Sequence, residues 1–278
     1  MIPFNFDYYR PDTIDEAVSA YLELDSANKE PVYYSGGSEI ISMARVNNIH
    51  TKAVIDLKAI PECNVLEFRG DRLVIGSSVT LSRLSEENPF PLLSKACGRI
   101  ADHTMQCRIT IGGNLGGTVI YREASLPLLL SDCEVIMTSG GTLRKLPLKE
   151  VFGERLRLPR GEFIVQFVIG SEYVSLPFVH IKKTKNEKID YPLISLAALK
   201  KDDRIRLALS GMCPFPFRSP GMEECLNDRN DSWGVRIDKA LGRLPAPILN
   251  DISGSDGYRR FVLKNTLLNT LKPLEATQ

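Results

Sequence analysis

Pro31-Val32-Tyr33-Tyr34-Ser35-Gly36-Gly37-Ser38-Glu39-Ile40-Ile41 reads as a short strand, a paired-glycine turn and the start of a helix. Proline opens the extended run, and the β-branched and aromatic side chains of Val32 to Tyr34 suit a strand. Beyond the glycines, Ile40, Ile41 and Ala44 recur at helical spacing, and Ala53 to Asp56 supplies a second short strand. Strand, helix and strand in that order predict a parallel pair with a crossover helix. Upstream, Thr13 and Glu16 form a capping box ahead of Ile14, Ala17, Val18, Tyr21 and Leu22, so a helix begins there.

After Asp56 the pattern changes. Val65 to Phe68, Gly70-Asp71 and Leu73 to Ile75 predict a hairpin. Helical stretches follow around Leu81 to Leu84 and Leu92 to Ile100, then a second glycine segment, Thr110-Ile111-Gly112-Gly113-Asn114-Leu115-Gly116-Gly117, expected as a turn. Strands around Glu134 to Thr138 and Phe163 to Ile169 would form an antiparallel sheet. A basic, polar stretch runs from Pro177 to Lys188. Strands are then expected around Ala197 to Leu199 and Ile205 to Leu209, with a closing helix over Gly257 to Leu271. The fold class is therefore α+β: a small parallel βαβ unit over about 1–56, an antiparallel sheet with helices over 57–173, and a small α+β C-terminal domain over 174–278.

With 35 Lys and Arg against 34 Asp and Glu in 278 residues, no global field draws the chain to nucleic acid or to an anionic membrane. Met1 to Arg10 lacks the basic and apolar regions of a leader, and no apolar run has membrane-spanning length, so a cytoplasmic location is expected. Cys63, Cys97, Cys107, Cys133, Cys213 and Cys225 form no CxxC pair, which fits reduced, mostly buried thiols. His50, His103 and His180 are isolated, so no metal site is expected.

The chemistry lies in the glycine segments. A strand end, paired glycines and a helix start leave backbone N–H groups pointing one way, an arrangement suited to a pyrophosphate. Thr110, Gly112, Gly113 and Asn114 add a hydroxyl, permissive backbone and a carboxamide. Taken alone, each segment reads as a structural turn. Neither GxGxxG nor a Gly-Lys-Ser/Thr P-loop is present.

Thr110-Ile111-Gly112-Gly113-Asn114-Leu115 resembles the second FAD signature of the molybdenum hydroxylase flavoproteins, and Ser35-Gly36-Gly37-Ser38-Glu39-Ile40 resembles the first. This family includes the flavoprotein subunits of carbon monoxide dehydrogenase and bacterial xanthine dehydrogenase. Ala53 to Leu57, Leu73 to Thr80 and Tyr191 to Ala198 resemble its connecting segments in the same order. The resemblance implies a two-subdomain FAD-binding domain over 1–173. It places Tyr33, Tyr34, Ser35, Gly36, Gly37, Ser38, Glu39 and Ile40 around the pyrophosphate, and Thr110, Ile111, Gly112, Gly113 and Asn114 around the same cofactor. Ile100 would lie against the flavin and Lys182 near its isoalloxazine edge. Departures from the pattern are Ile120 for a proline, Glu123 for an aspartate, and Gly116-Gly117 for an alanine and a polar residue.

The same resemblance implies an electron-transfer subunit of a xanthine dehydrogenase-type molybdenum hydroxylase, in which a 2Fe-2S subunit delivers electrons to FAD, NAD accepts them, and a molybdopterin-binding subunit hydroxylates the substrate. FAD is the only cofactor expected here, with no catalytic acid or base. Carbon monoxide, nicotinate or aldehyde oxidoreductase complexes are alternatives, as is a degenerate FAD-free scaffold. A flavin oxidase of the vanillyl alcohol oxidase type lacks support, since no substrate domain or flavin-linking residue is identifiable. The apolar segments Cys213 to Phe217 and Leu244 to Leu249 are candidate subunit interfaces.

Overall fold

The computed structural model describes residues 2–139, 141–185 and 189–277, so Lys188 at the end of the basic stretch, like Met1, lies outside the described residues. The N-terminal layer holds β1 (Asp7–Tyr9), α1 (Ile14–Ser26), β2 (Val32–Tyr34), α2 (Ser38–Arg45) and β3 (Ala53–Asp56). Its strands form a parallel sheet ordered β1-β3-β2. Sequence reading found the last two and missed β1, a three-residue exposed segment. Thr13 caps α1 through Glu16 N at 3.2 Å, and the returning Glu16 carboxylate accepts from Asp12 N at 2.9 Å, one residue before the usual box position. Ala17, Tyr21 and Leu24 bury that helix against Ile55, Phe163 and Val165.

The second layer is a five-stranded antiparallel sheet ordered β4-β5-β8-β6-β7. The hairpin of β4 (Leu66–Arg69) and β5 (Arg72–Gly76) turns at Gly70 in the left-handed region. Helices α3 (Leu81–Glu87), α4 (Pro91–Cys97), α5 (His103–Gln106), α6 (Ile111–Gly116) and α7 (Ser125–Leu130) follow. The sheet is completed by β6 (Glu134–Ser139), β7 (Thr142–Pro147) and, after the short α8 (Leu148–Val151), β8 (Ile164–Gly170). Leu73, Ile75, Leu81, Leu92, Leu128, Val135 and Phe167 form the centre of its core. Fully burying one such side chain stabilises the fold by roughly 1.5–3 kcal/mol.

The third sheet, ordered β12-β11-β10-β9, comprises β9 (Phe178–Thr184), β10 (Pro192–Lys201), β11 (Arg204–Ser210) and β12 (Phe217–Arg218). One face, carrying Ile194, Leu196, Leu207 and Leu209, packs under α9 (Pro220–Leu226), α10 (Trp233–Leu241) and α11 (Asp256–Ala276). The other face, with Ala197, Leu199 and Ala208, closes the core of the antiparallel layer. The basic stretch after Pro177 is therefore mostly strand, and Lys182 stands on β9 opposite Ser195.

Two sequence expectations require correction. The second glycine segment is a helix, α6, because Ile111 and Leu115 lie four residues apart and are both fully buried, while Thr110 caps the first turn. Burial and the cap together outweigh the poor helix propensity of glycine. The apolar segments offered as interfaces are largely spent on the C-terminal core: Cys213 and Phe217 are buried, and Phe215, Leu244, Ala246 and Ile248 pack against the same cluster.

Candidate functional site

The two glycine segments meet. A Cβ on Gly36 would collide with the Arg108 backbone carbonyl and approach Thr110 N to 3.2 Å; one on Gly112 would lie 2.8 Å from Ser77. These glycines therefore let chain approach chain. The freedom of Gly36 and Gly112 is spent on contact with neighbouring backbone. Gly113 differs: it is exposed, and a Cβ there would meet only Thr110 Oγ1, at 3.0 Å.

Ser77 and Ser78, which sequence reading passed over as part of a strand, stitch the segments together. Ser77 O accepts from Gly112 N at 2.9 Å, and Ser35 Oγ donates to Ser78 Oγ at 2.9 Å. At the far end Glu39 accepts from Thr118 N at 2.6 Å and from the Thr118 hydroxyl. On the other side, Lys58 Nζ donates to Ser35 O at 3.0 Å and to Asp56 at 2.6 Å, and lies 4.6 Å over the Tyr34 ring. Tyr8 OH donates to the same Asp56 carboxylate at 2.5 Å. Burial would raise that carboxyl, but Lys58 and Tyr8 together outweigh it and hold the group below the usual carboxylate range. The hydrogen bond to Asp56, and then burial, push the Tyr8 phenol up to about 12.

The helix ends of the two segments differ. Gly37, at φ 69°, precedes α2 with no side chain to cap it, leaving the first-turn amides of Ser38, Glu39 and Ile40 without a capping acceptor. In α6, Thr110 Oγ1 accepts from Gly113 N at 3.1 Å, and Asn114 Oδ1 is engaged by Ala124 N at 3.2 Å. Tyr33 turns away from this surface: its hydroxyl donates to Gly161 O at 2.9 Å and its ring stacks on Tyr21, with burial pushing the phenol up. Ile111 is core.

Ile100, Glu123 and Lys182 gather where the antiparallel layer meets β9. Lys182 Nζ donates to Glu123 Oε2 at 3.0 Å and to Arg99 O at 2.8 Å, and both charged side chains are at most 5% exposed. Burial raises the Glu123 carboxyl even though Lys182 opposes the shift, and Glu123 Oε1 has no hydrogen-bond partner. Nearby His180 is buried with both ring nitrogens unpartnered. Desolvation, then Arg99, Lys95 and Lys182, push it down to about 3, so it is neutral. Ile100 is 8% exposed within the core, and its carbonyl accepts from Gln106.

Among the described residues, the cysteines are free and no cluster could hold a metal ion. Cys107 is exposed and Cys225 half-buried, whereas the remaining four are buried as the sequence suggested. No described helix is long and apolar enough to cross a membrane.

An uncapped α2 terminus, glycine turns that bring a second segment alongside, and the exposed backbone of Gly113 fit a dinucleotide-type cofactor lying across both segments. Residues 4–170 match the family described as the FAD binding domain in molybdopterin dehydrogenase. Over 232 residues the chain is 31% identical to the carbon monoxide dehydrogenase medium chain of Hydrogenophaga pseudoflava, covering 80% of this chain and 79% of that one. It is 25% identical over 245 residues to the caffeine dehydrogenase subunit beta of Pseudomonas sp. (strain CBB1), covering 82% and 80% respectively. A solved carbon monoxide dehydrogenase from H. pseudoflava superposes with a TM-score of 0.87 at 21% identity over 98% of both chains. Quinoline 2-oxidoreductase from Pseudomonas putida 86 gives 0.83 at 18% identity over 99% of each. The chain belongs to the FAD-binding subunit family of the molybdenum hydroxylases, with FAD as its cofactor.

Proposed function

We propose that this chain is the electron-transfer flavoprotein of a xanthine dehydrogenase-type complex, receiving electrons from a 2Fe-2S subunit and passing them through FAD to NAD, while a molybdopterin-binding subunit hydroxylates the substrate. The observation that carries this reading is the convergence of the bare α2 terminus with the exposed turn of α6 at Gly113. Residues Ser35 to Ile40 would hold the pyrophosphate, and Thr110, Gly112, Gly113 and Asn114 would bind along the cofactor. Ile100 would border the flavin ring, with Lys182 near its isoalloxazine edge, held in place by Glu123. Bound flavin supplies the exchange between one-electron and two-electron carriers. The chain's own contribution is placement and water exclusion, with no acid or base required. A cytoplasmic location and a division into domains at 173/174 belong to the same reading.

A nitrogen heterocycle as the substrate of the complex is supported by relatives named for caffeine and nicotinate. Carbon monoxide is the second reading, favoured by the 31% identity to that enzyme's medium chain. The test is co-expression with the neighbouring genes, purification of the assembly, and anaerobic addition of NADH, xanthine or carbon monoxide in separate cuvettes. Bleaching of the flavin band by NADH and by xanthine is expected. A flavin that dithionite reduces but NADH does not would exclude NAD as acceptor, and bleaching by carbon monoxide alone would move the substrate to the second reading.

A further inference from the structure

Glu123 and its neighbour Arg122 carry buried charges that the fold treats in opposite ways. Glu123 has Lys182 at 3.0 Å. Arg122 is 3% exposed and pairs with no described carboxylate: Nη2 donates to Glu154 O at 2.5 Å, Nη1 reaches Gly117 O only at 3.4 Å, and Nε has no partner. Its other close neighbour is the Phe152 ring, 5.6 Å from the guanidinium carbon. Burial, and after it the like charge of Arg155, lower its pKa, whereas Glu39 raises it without forming an ion pair because that carboxylate is held by Thr118. A buried guanidinium with an unfilled donor and a second cation nearby is costly unless an anion completes it.

The position of Arg122 indicates which anion. Gly117, whose carbonyl it touches, ends the second glycine segment, and a Cβ on Gly117 would collide with Glu39 in the first turn of α2. Arg122 therefore stands behind the junction of the two segments, and its backbone φ of 34° lies in the left-handed region that a non-glycine residue rarely adopts. We propose that Arg122, assisted by the exposed Arg155, forms the inner wall of a phosphoryl subsite at the exit of the second glycine segment. The subsite extends the FAD site proposed above and accepts either a phosphate of that cofactor or a free phosphate. A planar, multidentate guanidinium matches the oxygens of a phosphoryl group bidentately, which a halide cannot offer.

The test is calorimetric titration of the flavin-stripped full chain with FAD, riboflavin and inorganic phosphate, for the wild type, Arg122→Gln, Arg122→Lys and Arg155→Ala. The expected result is FAD binding weakened about tenfold or more by Arg122→Gln. Arg122→Lys should restore part of that loss, Arg155→Ala should weaken FAD a few-fold, riboflavin affinity should not change, and phosphate should compete with FAD only where Arg122 is present. Equal FAD and phosphate affinities in the wild type and Arg122→Gln would overturn the proposal, as would equal weakening of riboflavin, which would mark Arg122 as a purely structural support. Should Arg122→Gln fail to fold, Arg155→Ala decides: unchanged FAD and phosphate binding in that soluble variant counts against the subsite. A wild type that binds phosphate through Arg122 but not FAD would sustain the subsite with free phosphate as its ligand and remove the cofactor reading alone.

Discussion

The two glycine segments look alike in sequence and do opposite work. In Ser35 to Ile40 the glycines are consumed by contact, Gly36 against Arg108 and Gly37 against the Tyr34 ring, and the helix they introduce has no cap. In Thr110 to Gly117 the helix is capped by its own threonine and held by Asn114, and two glycines, Gly113 and Gly116, are left facing solvent. One segment therefore offers unsatisfied amides, the other a rigid, satisfied platform with open backbone. A cofactor lying across both gains hydrogen bonds from the first and close approach from the second.

The sharpest way to break this contrast is Gly36→Ala. The obstacle is a backbone carbonyl that no rotamer change can move, so the segments must separate. The expected cost is about 3 kcal/mol, at the upper end for overpacking, with loss of retained flavin. Urea denaturation and the absorption spectrum after desalting measure the two effects. The same substitution at Gly113 should do almost nothing to stability, because Ala is the better helix residue and only Thr110 Oγ1 must shift. Its effect should appear in FAD affinity alone. If Gly113→Ala unfolds the chain, or Gly36→Ala leaves it untouched, the assignment of contact and platform is reversed.

Much of the scaffold is legible in the sequence. Alternation and caps marked β2, β3, the β4–β5 hairpin, α1 and the last helix, since those signals are local. What failed was non-local. β1 is three exposed residues that become a strand only by pairing with β3, and β7 is exposed along most of its length, so neither shows the apolar alternation that reveals a strand. Gly112-Gly113 argued for a turn because propensity is counted locally, whereas Ile111 and Leu115 reach a core built from distant chain. The Lys182–Glu123 pair, 59 residues apart, was visible only as two separate suggestions. Arg122 carried no signal at all, because nothing in a sequence distinguishes a buried arginine from the many on the surface.

Between these extremes lies Thr110→Ala. It removes the acceptor for Gly113 N and nothing else of consequence, so a cost of about 1 kcal/mol is expected, typical of a lost N-cap. Thr110→Ser should recover most of it. If both variants lose the same amount, the methyl group packed in this buried position matters more than the cap.

The smallest expected effect separates the segments by pH. The first is tethered by a titratable group: Asp56 holds Lys58, and Lys58 holds Ser35 O. No side chain between Thr110 and Asn114 titrates, and the hydrogen bonds that hold them there come from backbone, hydroxyl and carboxamide. Because the folded-state pKa of Asp56 is depressed, its contribution to stability is present above the unfolded value of about 4 and is lost as pH falls through the lower, folded value. Protonation also removes the negative charge on the carboxylate oxygen that Tyr8 and Lys58 share. Hydrogen-exchange protection factors should therefore fall for the β2–β3 ladder, which ends at Tyr34 and Asp56, at acid pH before they fall for Gly112 to Asn114, and Asp56→Asn should produce that looser first segment at neutral pH. Parallel loss of protection in both segments would mean that the Ser77-Ser78 stitch, which carries no charge, couples them more tightly than the Asp56 tether separates them.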